Sequence, residues 1–239
     1  MQVIYHSYTE SANYNMLYYK YHLKRMEPLM NIRRNSLFLL LTYLIVMLFS
    51  SSLFSIIKDS MLSFTSVIFV SIFGAFLMFF INKKVPFENY IELGNKSLKK
   101  SLLYGIFGVA LVFVVQELTL LVDTYLLHQS TFSENTNQIL TILTHYPYYL
   151  LYVIIAAPIM EEFIFRKVFF GNLSTIIKPG GAAIFSSILF SVAHADGHYL
   201  TYSCLGLTLS YIYYKSHDIK APIITHSLMN LIIILTQIK

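Results

Sequence analysis

The sequence predicts an all-α protein, a polytopic membrane bundle of about seven transmembrane helices, or eight. Three observations predict it. Of 239 residues, 56% are hydrophobic and only 12% charged, where a soluble domain carries about 25% charged residues. The mean hydropathy is +0.61. Several apolar runs reach the length of about 20 residues that a membrane-spanning helix needs. Together they exclude a water-soluble globule. No ten-residue alternating pattern suggests a barrel, and backbone groups in lipid must be satisfied within the segment, which leaves helices. The single cysteine, Cys204, excludes an intrachain disulfide framework and any CxxC metal or redox site.

In chain order, residues 1–35 are polar, tyrosine-rich and basic. YNMLYYKYHLKR fits a cytoplasmic interfacial helix, whereas MNIRRNSLFLLL from Met30 reads as a natural start for a membrane protein, so either Met1 or Met30 serves as the beginning. A cleaved signal peptide does not fit, because the apolar run is too long and no small-residue cleavage site follows. Spans are expected at 37–57, 61–81, 101–122, 147–170, 181–197, 199–214 and 221–238. Residues 36–125 form the N-terminal membrane helices and 145–239 a C-terminal core. Pro158 should kink the fourth span, provided a neighbour satisfies the carbonyl it frees. Asp196-Gly197-His198 makes a turn between the fifth and sixth.

Lysine and arginine favour cytoplasmic loops. Fifteen of the 17 cations fall on one side of this topology, in the N-terminal segment, the 83–100 loop, the turn near 166–178, and Lys215 and Lys220. Lys58 and Lys239 fall on the other, and segment 123–146 has none. The expectation is a multi-pass cell-membrane protein with its N terminus in the cytoplasm and an outside loop at 123–146. The net charge of +5 is then a topology signal, and no nucleic-acid partner is needed.

Ionisable residues inside spans are expensive and read by default as functional. They concentrate in the C-terminal half: Glu161, Glu162 and Arg166 in PIMEEFIFRKVFF, His194 in SSILFSVAHADG, and His226 and Asn230 in APIITHSLMNLIIIL. Glu162 and Arg166 are four residues apart with the acid first, the favourable order for a helical ion pair. Glu161 points about 100° away and is left free. His226 and Asn230 share one helix face, as do Phe190 and His194. At a rise of 1.5 Å per residue, Glu161, His194, His226 and Asn230 are expected to meet between the cytoplasmic surface and the midplane. A carboxylate and a histidine can make a water nucleophilic, and a second histidine with an amide can donate to an oxyanion. That chemistry suits peptide-bond hydrolysis. The zinc motif HExxH, the nucleophile elbow GxSxG and a GxGD aspartyl motif are absent from the sequence.

EEFIFR matches EExxxR, FSVAH matches FxxxH and HSLMN matches HxxxN, in order on successive hydrophobic segments. This set resembles the CAAX-protease and bacteriocin-processing (Abi) family of glutamate intramembrane endopeptidases, over about residues 145–239. The resemblance implies that Glu161 activates water with His194, that His226 and Asn230 form the oxyanion hole, and that Glu162, Arg166 and Phe190 organise the site. It implies a metal-independent endopeptidase with no cofactor, acting near the cytoplasmic side on a peptide or membrane-protein substrate in the lipid bilayer. Eukaryotic relatives trim prenylated CAAX proteins; this shorter chain looks bacterial, where relatives serve peptide maturation, bacteriocin immunity or signalling-peptide processing.

Rival readings accompany each residue. The chain could be a non-catalytic scaffold or immunity protein keeping the same fold, with the two glutamates in a buried ion-pair network, His194 a core histidine, and His226 and Asn230 bonding between helices. It could be a zinc protease with Glu161, His194 and His226 as ligands. Gln116 and Glu117 are expected to hold helices together, Asp196 and His198 to sit in a surface loop, and Tyr213 and Tyr214 to anchor at the interface.

Overall fold

The structure, a computed structural model, describes residues 32–130 and 133–237. Both readings of the N-terminal segment and most of residues 1–35 lie outside them. The described residues contain no strand. They form α1 (Ile32–Ile56), α2 (Ser60–Lys84), a 3-10 turn (Tyr90–Leu93), α3 (Leu98–Tyr125), α4 (Glu134–His145), α5 (Pro147–Thr175), α6 (Pro179–His194), α7 (Tyr199–Ser216) and α8 (Lys220–Gln237). Four of these, α1, α2, α3 and α5, are long and apolar enough to cross a membrane. The other three expected spans are shorter, with 16 residues in α6 and 18 each in α7 and α8.

Local chemistry sets the boundaries. Asp59 caps α2 by accepting from the Leu62 amide at 2.7 Å, and Ser97 caps α3 from Lys100 at 3.1 Å. Pro179 opens α6, and the helix ends at Ala195, whose φ of +49° turns the chain left-handed. Lipid is the outward solvent. Ile45, Leu48, Phe69, Phe73, Phe76 and Phe107 are all exposed, whereas the buried set includes Arg166, Glu162, Lys167 and Asp123.

Two of the four packing groups among the described residues frame the bundle. Leu39 and Val46 of α1, Ala75 and Met78 of α2, Met160 and Phe163 of α5 and Phe190 of α6 share one core. Val112 of α3, Leu205, Leu209 and Ile212 of α7 and Met229 of α8 share another. Gly105 and Gly108 let α3 approach α8 closely: a Cβ at Gly105 would lie 2.8 Å from Ile224, and the Thr225 hydroxyl donates to the Gly105 carbonyl at 2.9 Å.

One expectation is corrected. Segment 123–146, read as a loop, contains the 12-residue helix α4. Ser133 caps it through the Thr136 amide at 3.1 Å, and Ile139 and Leu143 share one face, with Leu143 buried. At 12 residues it is too short to register as a span, which is why hydropathy overlooks it.

Candidate active site

The site is built on α5, which is not a uniform α-helix. Tyr152–Ala156 and Phe163–Asn172 are π-helical, flanking a true α-turn at Ala157–Glu162. Such wide turns recur at functional sites. Pro158 explains the first. The Ala157 amide bonds five residues back, to Tyr152. The next amide in that register belongs to Pro158, which has no N–H. The Val153 carbonyl accepts instead from Asn230 Nδ2 of α8, at 3.0 Å. The neighbour required by the proline is therefore Asn230.

Glu162 and Arg166 are both fully buried and form the expected pair, Oε1 to Nη1 at 3.2 Å. The angle is not that of a hydrogen bond, and none of the three guanidinium nitrogens has a hydrogen-bond partner. Arg166 instead stacks its cation over the Phe190 ring, 4.3 Å from the centroid. Glu162 Oε1 also accepts from His226 Nδ1 at 2.8 Å, while its Oε2 is buried without a partner. Glu161 is different. Its side chain is 22% exposed, and its Oε2 lies 3.9 Å from His226 Nε2, beyond hydrogen-bond reach.

These groups wall a cavity of about 280 Å³. Glu161, Phe190, His194, His226 and Asn230 all line it, and Glu161 is the one carboxylate among the lining residues. His194 Nδ1 lies 2.8 Å from the Phe190 carbonyl. A carbonyl only accepts, so Nδ1 carries the proton and a neutral ring presents Nε2 as a base. Tyr202 stacks on the same ring at 4.0 Å between centroids, fixing its plane. The structure thus brings together every residue singled out in the three motifs. Of the proposed zinc set, the described residues contain no group of three His, Cys, Asp or Glu side chains placed to hold a metal ion.

Other expectations change. His198 sits in the α6–α7 turn but is 2% exposed, lines the cavity, and lies with Nδ1 3.4 Å from Asp123 Oδ2 without hydrogen-bonding it, while that oxygen accepts from Thr201 at 2.7 Å. Asp196, in the same turn, accepts from Ser133 at 2.5 Å and Tyr202 at 3.0 Å, tying α4 to the site. Gln116 lines the cavity, whereas Glu117 is exposed and joins no helices. Tyr213 is not an interfacial anchor: it is fully buried and donates to Glu92 at 2.8 Å. Lys167, counted as a loop cation, is 1% exposed and paired with Glu92. A partial signal for this last group existed in FENYIEL, whose Glu88 and Glu92 stand in a loop rich in lysine.

The cavity draws its walls unevenly from the two ends of the bundle. Its walls are the C-terminal halves of α3 and α6, α8 from His226 onward, α5 up to Glu161, the N-terminal part of α7, and α4. No residue of the basic 83–100 loop or the 171–178 turn contributes. Helical rise alone could bring these residues to a common level, but the contribution of α4 to the cavity wall was not legible from it.

The profile of the family described as type II CAAX prenyl endopeptidase, Rce1-like, matches residues 143–232. The chain is 31% identical over 160 residues to YdiL of Bacillus subtilis (strain 168), named as a candidate membrane peptidase; this is 66% of each chain. It is 31% identical over 166 residues to the membrane-embedded CAAX protease MroQ of Staphylococcus aureus (strain USA300), 66% of this chain and 67% of that one. The chain thus spans about two thirds of the length of these curated relatives. No solved structure matches it. All three motifs fall within the matched stretch, and the chain belongs to the CAAX prenyl endopeptidase family of membrane-embedded peptidases.

Proposed function

We propose that this protein is a glutamate-type intramembrane endopeptidase that hydrolyses a peptide bond of a peptide or membrane-protein substrate within the α3–α8 cavity. The observation that carries the proposal is the split between two adjacent carboxylates. Glu162 is locked against Arg166 and His226, while Glu161 alone among the cavity's lining residues presents a carboxylate. Glu161 takes the proton of a water, with His194 Nε2 as the second acceptor, and the resulting hydroxide attacks the scissile carbonyl. The proton then passes to the leaving amine. His226, entering the reaction as an imidazolium held through Nδ1 by the Glu162 carboxylate, donates from Nε2 to the oxyanion and keeps its proton throughout. Asn230 spends one amide hydrogen on Val153 and has the other for the same task. Glu162, Arg166 and Phe190 are positioning residues, and residues 145–239 carry the chemistry. The cleavage serves peptide maturation, bacteriocin immunity or signalling-peptide processing in this reading.

The test is a deletion strain carrying the wild-type chain or Glu161→Gln at equal protein level, with cleaved membrane peptides quantified by mass spectrometry. Peptides present with the wild type and lost with Glu161→Gln are expected. Equal peptide profiles, with both chains restoring the strain's phenotype, would make the protein a scaffold. A strong chelator is expected to leave cleavage intact; loss that zinc restores would reassign Glu161, His194 and His226 as metal ligands.

A further inference from the structure

The helix ends sort into two faces. One gathers the C-terminal ends of α2, α5 and α7 around the 3-10 turn at Tyr90–Leu93: Lys167 pairs with Glu92, Asn89 bonds Asn172 at 3.1 Å, and His217 bonds the Ile91 carbonyl at 2.7 Å. This face carries Lys83, Lys84, Lys96, Lys99, Lys100, Lys178, Lys215 and Lys220. The opposite face gathers α4, the α6–α7 turn and the end of α3, joined through Asp123, Ser133, Asp196 and Tyr202. Among the described residues it carries one cation, Lys58, against Asp59, Asp123, Glu134 and Asp196. Because lysine and arginine mark the cytoplasmic side, this second face is extracytoplasmic. Most of the cavity-lining residues come from the helix halves nearer this face, and Glu161, at the middle of α5, and His226, in the first half of α8, lie farthest from it along their helices.

Resting on the protease reading above, we infer that the active-site cavity is entered from the extracytoplasmic face, and that the substrate is an exported or membrane-spanning peptide cut at an internal bond. Three observations exclude a cytoplasmic C-terminal tail. The basic face is closed beneath the site by Glu92, Lys167, Tyr213, Asn89 and Asn172, whose buried polar side-chain atoms all have partners. No lysine or arginine lines the cavity, so a substrate's terminal carboxylate would find no permanently charged partner there and would compete with the oxyanion for His226. The mouth is lined by neutral hydrogen-bonding side chains, Gln116, Asn135, Thr136, Tyr149 and Gln237, which suit the backbone of an extended chain. Ser133 on the α4 side bonds Asp196, and Tyr202 links both to His194, so the rim of the mouth and the catalytic imidazole are one hydrogen-bonded and stacked unit.

The experiment replaces the native cysteine, Cys204→Ser, and introduces Asn135→Cys at the mouth or Glu88→Cys on the basic face. Intact cells are exposed to a membrane-impermeant maleimide. Asn135→Cys is expected to label in intact cells and Glu88→Cys only after lysis; the reverse pattern overturns the inference. Labelling does not depend on catalysis, so the same result is expected with Glu161→Gln added. The peptide profiles of the preceding test supply the second arm. Glu161-dependent cuts in extracytoplasmic segments support the inference, and cuts in cytoplasmic C termini overturn it while leaving the protease reading intact. Absence of any Glu161-dependent cut overturns the protease reading and with it the substrate assignment.

Discussion

Two buried polar networks lie one residue apart on α5 and have opposite character. Lys167 points to the basic face, where it donates to the Phe87 carbonyl at 2.6 Å and pairs with Glu92. Glu92 also accepts from Tyr213, which accepts from Asn89, which donates to Asn172, which donates on to Asn35 of α1 at 3.1 Å. No buried polar atom in this network lacks a partner. Arg166 points the other way, and there Glu162 Oε2 and all three guanidinium nitrogens lack hydrogen bonds. A closed network joins α1, α5, α7 and the Tyr90–Leu93 turn, and it stabilises. An incompletely satisfied one carries a standing cost, and such a cost persists where the surrounding structure imposes it. The contrast separates a polar cluster that holds the fold from one that serves the site.

The sharpest way to break this comparison is at the proposed catalytic pair, Glu161 and His194. His194→Ala is expected to lower cleavage by about 10²- to 10⁴-fold with protein abundance unchanged. Adding Glu161→Gln should make it no worse, because groups acting on one water are non-additive. A double variant worse than either single, measured as initial cleavage rate, would assign the two residues separate tasks.

The next largest effect is in the closed network. Lys167→Ala strands the buried Glu92 carboxylate and should cost about 3–5 kcal/mol, read as a drop in thermal midpoint in detergent. The paired change Lys167→Met with Glu92→Gln should recover much of it. Failure of the pair to recover would mean that Lys167 does more than neutralise Glu92.

Smaller still is Tyr213→Phe, which removes one donor to Glu92 and one acceptor for Asn89. About 1–3 kcal/mol is expected, with cleavage per folded molecule unchanged. A fall in cleavage rate at constant stability would extend the active site to the basic face.

Sequence made the site legible and the rest less so. Helical spacing alone separates Glu161 from Glu162 and pairs the latter with Arg166, because four residues is a local distance. Pro158 announces a freed carbonyl, but naming Asn230 as its partner needs the position of α8. Tyr213 and His198 look like interfacial residues because their partners, Glu92 and Asp123, are 121 and 75 positions away in the chain. Helix α4 escapes hydropathy by being short and half polar, and with it went one wall of the cavity.

The measurement closest to the central claim compares Glu161→Gln with Glu162→Gln in the same strain, reading thermal midpoint and peptide release together. The account predicts that Glu161→Gln keeps the wild-type midpoint and releases no peptide. It predicts that Glu162→Gln, which leaves Arg166 without its counter-charge, lowers the midpoint and the amount of protein. Equal loss of folded protein from both changes, or full peptide release by Glu161→Gln, would contradict the division of the two glutamates.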